Sequence, residues 1–236
     1  VVEILGKPKL IFSQRLLKMK PKKFNTFRLA GNVKGNEDYI LYQDLSEEYS
    51  LAILADGMGG LSYGYQAAQI VSHAIADYIA SNLHKYDLQE LLRKAFDMAD
   101  KSIRQQCYEL RCKMGAAVCV ALIGNDSVHY AWQGNVRLYK RDNDILQLLT
   151  TDHVAMGGST TLLTRCVNGK GFREQIPVEC VSTNDGNTIF LCSDGVYKAM
   201  APQILTARLQ DDKPLSDIVD VIKFMCEKYS KDNYTG

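Results

Sequence analysis

Two apolar runs in this chain end alike. LAILADG (51–57) and TIFLCSDG (188–195) each read as a buried strand that reaches a small residue and stops at Asp-Gly, which sets Asp56 and Asp194 at strand mouths. Taken singly, Asp-Gly is ordinary hairpin chemistry. After Asp56, however, Gly57-Met58-Gly59-Gly60 leads into a helical pattern, not a matching strand. An acid that leaves a strand for a glycine loop can turn its carboxylate outward, and the Gly57 carbonyl is bare enough to be a ligand. Two more acidic points lie at element edges: Glu37 and Asp38 in GNEDY, and Asp232 in KDNYTG. Each alone reads as a charged turn. Brought together they must be neutralised, because close carboxylates resist joint ionisation. Oxygen ligands without His or Cys suit hard cations, Mn²⁺ or Mg²⁺. A carboxylate bridging two such ions, about 3.5–4 Å apart, belongs to the arrangement that activates water for attack on phosphorus.

The elements that must position these acids are legible from periodicity. Strands are predicted at 24–31, 38–44 and 49–56, then amphipathic helices at 65–83 and 88–108. Strands at 115–124, 127–134, 136–141 and 145–151 are separated by GND, QGN and RDND, so this half is expected to be an antiparallel meander. A strand at 187–195 and a helix at about 215–230 follow. Strands, two helices, strands and a helix point to an α+β fold with helices on antiparallel sheets. No flexible linker interrupts the chain, and a single domain over 1–236 is expected. Residues 1–24 mix apolar residues with Arg15, Lys18, Lys20, Lys22 and Lys23 and give no clear element; the basic run reads as a solvated arm.

Composition narrows the function classes. A net charge of +1 gives no bulk attraction to nucleic acid or to a membrane surface, and no apolar run has the length of a membrane span. Seven cysteines, an odd number without C-x-x-C spacing, read as reduced, buried thiols in a cytoplasmic protein.

The ordered set GNEDY, ADGMGG before a helix led by Gly64, MGAAV, WQGNVRLY, LLTTDH, LTRCV, LCSDG and DNYT resembles the metal-dependent serine/threonine protein phosphatases of the 2C type, in their compact bacterial form. The resemblance runs from about residue 25 to 236. It implies a four-layer α-β-β-α sandwich of two antiparallel sheets flanked by helices, with two Mn²⁺ or Mg²⁺ at one edge. It also implies that Asp56 bridges both metals and the Gly57 carbonyl binds one of them, that Asp194 and Asp232 complete the first, that Glu37 serves the second, and that Asp38 acts through a water. A metal-bridging water would hydrolyse phosphoserine or phosphothreonine on a phosphoprotein substrate, without a covalent intermediate. A cognate serine/threonine kinase is the partner such proteins often have.

The chain departs from that pattern in four places. Lys34 stands near the position of an arginine that clamps phosphate, and a lysine binds phosphate only as a point charge; Arg28, further up the strand, is the other candidate. Asn135 and Lys198 replace two acids that help hold a third metal in the family, so a third metal is not expected and an ammonium is expected in its place. The stretch between TTDH and LTR is short for a flap. His153 reads as structural rather than as a general acid, and Met58 stands where many animal members have a histidine. These changes leave a second reading open, a phosphatase-like regulatory or binding domain with weak or no catalysis.

Overall fold

A computed structural model describes residues 23–31, 35–58, 63–142, 145–157, 160–184, 187–210 and 213–236. Lys34 and the basic run up to Lys22 lie outside the described residues. The chain forms β1 (Arg28–Leu29), β2 (Asp38–Asp44) and β3 (Ser50–Gly57), then α1 (Gly64–Asn82) and α2 (Leu88–Glu109). Next come β4 (Ala116–Ile123), β5 (Ser127–Gln133), β6 (Arg137–Asp142), β7 (Ile145–Leu148), β8 (Val154–Gly157), β9 (Thr160–Leu163), β10 (Val178–Ser182) and β11 (Thr188–Cys192). The chain closes with α3 (Asp194–Tyr197), α4 (Pro202–Leu209), α5 (Leu215–Tyr229) and β12 (Tyr234–Thr235).

Period-two alternation divides the side chains among three stacked cores. On β3, Leu51, Ile53 and Ala55 pack with Val71 and Ile75 of α1 and Leu92 of α2. The intervening Ala52 and Leu54 face the other way and meet Trp132, Leu138 and Leu191. Beyond the second sheet, Phe190 and Cys192 of β11 pack on Leu205 of α4 and Ile218 and Ile222 of α5. The layers are therefore helices, sheet, sheet, helices. The first sheet has the order β10-β5-β4-β3-β2 and the second β11-β6-β7, every pairing antiparallel. Among the described residues no helix is long and apolar enough to cross a membrane.

The expected meander is not continuous. β4 and β5 pair in the first sheet, whereas β6 and β7 pair in the second. Gly134 and Asn135, read as hairpin chemistry, instead carry the chain from one sheet to the other. Gly134 adopts φ 110°, a conformation that favours glycine. A side chain there would also strike Ala117 on β4. The predicted strand at 24–31 shrinks to two residues, because β1 pairs only with the short β12. The stretch between TTDH and LTR forms a hairpin of its own, β8 with β9, in register Val154↔Leu163. β10 was missed because VECVS is short and lies mostly exposed at the sheet edge. All seven cysteines are free, but the expected burial holds only for Cys119, Cys192 and Cys226; Cys107, Cys112 and Cys166 are partly buried, and Cys180 is exposed because it lies on the edge strand β10.

Leu54 is fully buried between the sheets, so Leu54→Ala removes packing from the layer that sets their separation. A loss of about 2–5 kcal/mol is expected in urea unfolding. A loss below about 1 kcal/mol, the size of a mild core change, would contradict a tightly packed inter-sheet core.

Candidate metal centre

β2 and β3 pair so that Asp38 stands directly opposite Asp56. Alternation places both on the face that carries Leu54 and the inter-sheet core, so two carboxylates confront each other where the first sheet ends. Directly opposed like charges destabilise a strand pair. Asp38 is almost fully buried; its Oδ2 accepts a hydrogen bond of 2.8 Å from the Ser193 hydroxyl, and its Oδ1 is buried without a partner. Burial first, and then the charges of Asp194 and Asp232, push its carboxyl up to about 6, while Ser193 and Thr235 pull the other way. Asp56 is driven well above the usual carboxylate range by loss of water and by the charges of Asp38, Asp194 and Asp232. Four acids from strand ends far apart in sequence therefore feel one another at one edge.

Glu37 joins them from the residue before β2. Its carboxyl is raised by burial and by Asp232. The Glu37 carboxylate lies so close to Gly64, the first residue of α1, that a Cβ there would stand 2.8 Å from its Oε1. Gly57 in turn lies against the Gly64 backbone, and its N–H donates to the Glu37 carbonyl at 3.1 Å. Two glycines thus let strand, acid and helix start share one small volume.

Asn233 fixes this corner. Its Oδ1 accepts from the Glu37 N–H at 2.8 Å, and its Nδ2 donates to the carbonyls of Ala30 and Gly35, each at 2.9 Å. One buried amide therefore anchors the Glu37 segment to the chain's last strand beside Asp232. Ser193 makes a similar link, since Thr235 N–H donates to its Oγ at 3.1 Å. Both residues lie inside motifs visible in the sequence, LCSDG and DNYT, yet neither drew a role there. The signal was adjacency: each is next to a predicted ligand and is of a type that bonds backbone.

Asp194 begins α3, and one helical turn brings Lys198 over it. Lys198 Nζ lies 2.6 Å and Asn135 Nδ2 lies 3.1 Å from the same oxygen, Asp194 Oδ2. Burial alone would lower the Lys198 ammonium, but Asp194, Asp232 and Asp56 together raise it. Behind them Tyr197 donates to the Asn135 carbonyl at 3.0 Å. The Arg137 guanidinium lies 3.6 Å from the centre of the Tyr197 ring and forks onto Asp152, with bonds of 3.0 and 2.8 Å.

Arg28 sits at the rim. It donates to the carbonyls of Asp38 and Asn36 at 2.6 and 3.0 Å and lies over the Tyr65 ring. Its guanidinium thus helps hold the 36–38 backbone. Lys34, the other phosphate candidate, falls outside the described residues. His153 accepts from the Gly134 N–H through Nδ1 at 3.1 Å and stacks on Trp132 at 4°. Burial and Arg165 lower it to about 4 against the pull of Asp152, so it is neutral at pH 7.

The donor set fits hard divalent cations: carboxylates rather than His or Cys, and an orphaned buried oxygen on Asp38. Among the described residues the only ion pair these acids make is Asp194 with Lys198. Among those residues, too, no three His, Cys, Asp or Glu side chains are already closed round one point.

The family model described as Protein phosphatase 2C matches residues 31–233. A curated relative named serine/threonine phosphatase stp, from Listeria innocua, is 24% identical over 223 residues, covering 85% of this chain and 88% of its own length. The crystal structure of the Mycobacterium tuberculosis serine/threonine phosphatase PstP/Ppp is similar at a TM-score of 0.78 and 21% identity, over 89% of this chain and 94% of that one. A structure of the catalytic domain of PstP in complex with two manganese ions is similar at 0.76 and 22% identity, with the same coverage of 89% and 94%. With strand-end acids gathered at one edge of a four-layer sandwich and the family pattern matched across most of its length, the chain belongs to the protein phosphatase 2C family.

Proposed function

We propose that this chain is a divalent-metal-dependent phosphatase that hydrolyses phosphoserine and phosphothreonine in proteins. The observation that carries this reading is Asp38 set opposite Asp56 with a buried, partnerless oxygen, in a chain of this family. A protein gains nothing in stability from such a pair; a cation makes sense of it. In this reading Asp56 serves two Mn²⁺ or Mg²⁺ ions. Asp194 and Asp232 would complete one site and Glu37 would serve the other, the Gly57 carbonyl would bind one of the two ions, and Asp38 would orient water through Oδ1. The ions, when bound, supply charge neutralisation and a water acidic enough to be deprotonated near neutral pH. Ser193 and Asn233 hold the acids at fixed places during turnover.

Arg28 is assigned to shaping the 36–38 segment, and through it to the phosphate side of the site. The substrate is a phosphoprotein, in keeping with the relatives' names, and a partner kinase and a cytoplasmic location accompany the proposal. The neutral, stacked His153 is left out of proton transfer.

The reading is tested with a phosphothreonine peptide and with p-nitrophenyl phosphate. Turnover is expected to need Mn²⁺ or Mg²⁺ and to stop with EDTA. Asp56→Asn is expected to lower it by more than about 100-fold, beyond the loss usual for a group outside the ligand set. Metal-independent turnover, or an unaffected Asp56→Asn, would sink the proposal.

Asn233→Ala releases the Glu37 segment while leaving every acid in place. Metal affinity, read by calorimetry, is expected to weaken by about 10–100-fold. An unchanged affinity would show that the clamp does not set ligand positions.

The raised carboxyls also predict a pH effect. The folded chain holds the Asp38 proton up to about 6, against 3.8 for an ordinary aspartate, so it binds more protons than the unfolded chain in that window. In EDTA the melting temperature is therefore expected to fall as pH rises from 3.8 towards 6, and the gain on adding Mn²⁺ to grow over the same range. A melting temperature that climbs through this window in EDTA would count against a destabilising acid cluster.

A further inference from the structure

The acids of the centre do not balance two divalent ions by themselves. Glu37, Asp38, Asp56, Asp194 and Asp232 carry five negative charges when ionised. Two divalent cations neutralise four, and one negative charge is left over. The Lys198 ammonium stands 2.6 Å from Asp194 Oδ2, and the Asn135 amide donates to the same atom at 3.1 Å. Asp194 Oδ1 makes no hydrogen bond among the described residues. The carboxylate is thus divided: one oxygen is taken up by two nitrogen donors, and the other is left for a metal.

We propose that Lys198, backed by Asn135, is a built-in cation of the metal centre. It neutralises the fifth carboxylate and occupies the outer side of Asp194, so the centre takes two divalent ions and has no place for another. This rests on the metal-dependent reading above. Lys198 acts through Asp194 and is a positioning residue. Its bond also pre-orients the Asp194 carboxylate before any metal arrives, because an i,i+4 contact on one turn of α3 fixes the side chain against the backbone. The Tyr197 hydroxyl on the Asn135 backbone carbonyl holds the main chain from which the amide reaches Asp194. The Lys198 side chain stays 58% exposed while its Nζ lies on Asp194, so the ammonium reaches the carboxylate from the solvent side.

The test counts ions and does not depend on hydrolysis. Manganese is titrated into the full chain by calorimetry, and the stoichiometry is confirmed by native mass spectrometry. Wild type and Lys198→Arg, which keeps the charge, are expected to saturate at two equivalents. Lys198→Asp, at an exposed position that tolerates change, and the double variant Asn135→Asp with Lys198→Asp are expected to take up a third, weaker equivalent. A wild type that binds three ions overturns the proposal, and so do both acidic variants remaining at two. A wild type that binds no divalent ion overturns it as well, and with it the metal-dependent reading; a change in the count alone leaves that reading standing.

Discussion

The placing of Asp38 against Asp56 governs the rest of the structure. Two carboxylates opposed across neighbouring strands, with further acids arriving from the second sheet and the C-terminal strand, form an arrangement that folding alone would reject. It persists because the surroundings over-determine it. Each acid is tied to a backbone that cannot relax independently: β2 and β3 are locked in a five-stranded sheet, Asp194 opens a helix, and Asp232 follows another. What remains unfavourable shows as a raised proton affinity at Asp38 and Asp56, a demand for positive charge that a bound cation can meet instead. Stability is thus transferred from the polypeptide to its ligand, since anything that binds the folded state alone stabilises it by mass action.

Close approach of backbones makes the gathering possible. Gly57 against Gly64, Gly31 against Asp232 and Gly195 against Asn233 are three places where a Cβ would strike main chain. Each lies beside an acid of the cluster or a residue that holds one. Side-chain volume is given up where ligands must converge, and hydrogen bonds replace the lost packing. Asn233 alone satisfies three backbone groups from the 30–37 segment. A buried amide that is fully paired in this way is rigid, and rigidity a few ångströms from a ligand is what a weakly held cation site needs.

Much of this could be read from residues. Long periodic helices such as α1 and α2, and apolar strands such as β3 and β4, announce themselves because their patterns repeat over many positions. Asp56 and Asp194 stood out because charge at the end of an apolar run is conspicuous, whereas Glu37, Asp38 and Asp232 each read alone as a charged turn and gained meaning only as part of the ordered set. What stayed hidden was long-range. The crossing at Gly134 looks locally like a hairpin, because the same glycine chemistry serves both, and only the pairing partners of β5 and β6 tell them apart. Ser193 and Asn233 were equally silent, since a serine or an asparagine beside an aspartate is commonplace until its partner, 155 residues away for Ser193, is known. β10 and α4 lacked a pattern strong enough to see, being short, exposed or weakly amphipathic.

The distribution of the acids over the layers has a mechanical consequence. Asp38 and Asp56 belong to the first sheet, Asp194 follows β11 of the second, and Asp232 lies on the chain's return to β12. A cation shared by Asp56 and Asp194 would tie sheet to sheet across the edge where the inter-sheet core runs out. The apolar layer of Leu54, Trp132, Leu138 and Leu191 sets the spacing from within, and an ion would set it at the rim. Packing resists compression steeply but fixes orientation only loosely at its margin, whereas coordination fixes the positions of specific oxygens. The Asp194–Lys198 bond and the fork of Arg137 on Asp152 already stiffen the second-sheet side of that rim. On the first-sheet side the Glu37 segment is held by the Asn233 amide, by the Arg28 guanidinium and by the Gly57 N–H on the Glu37 carbonyl, so both sides of the rim are set by the polypeptide before any ion arrives.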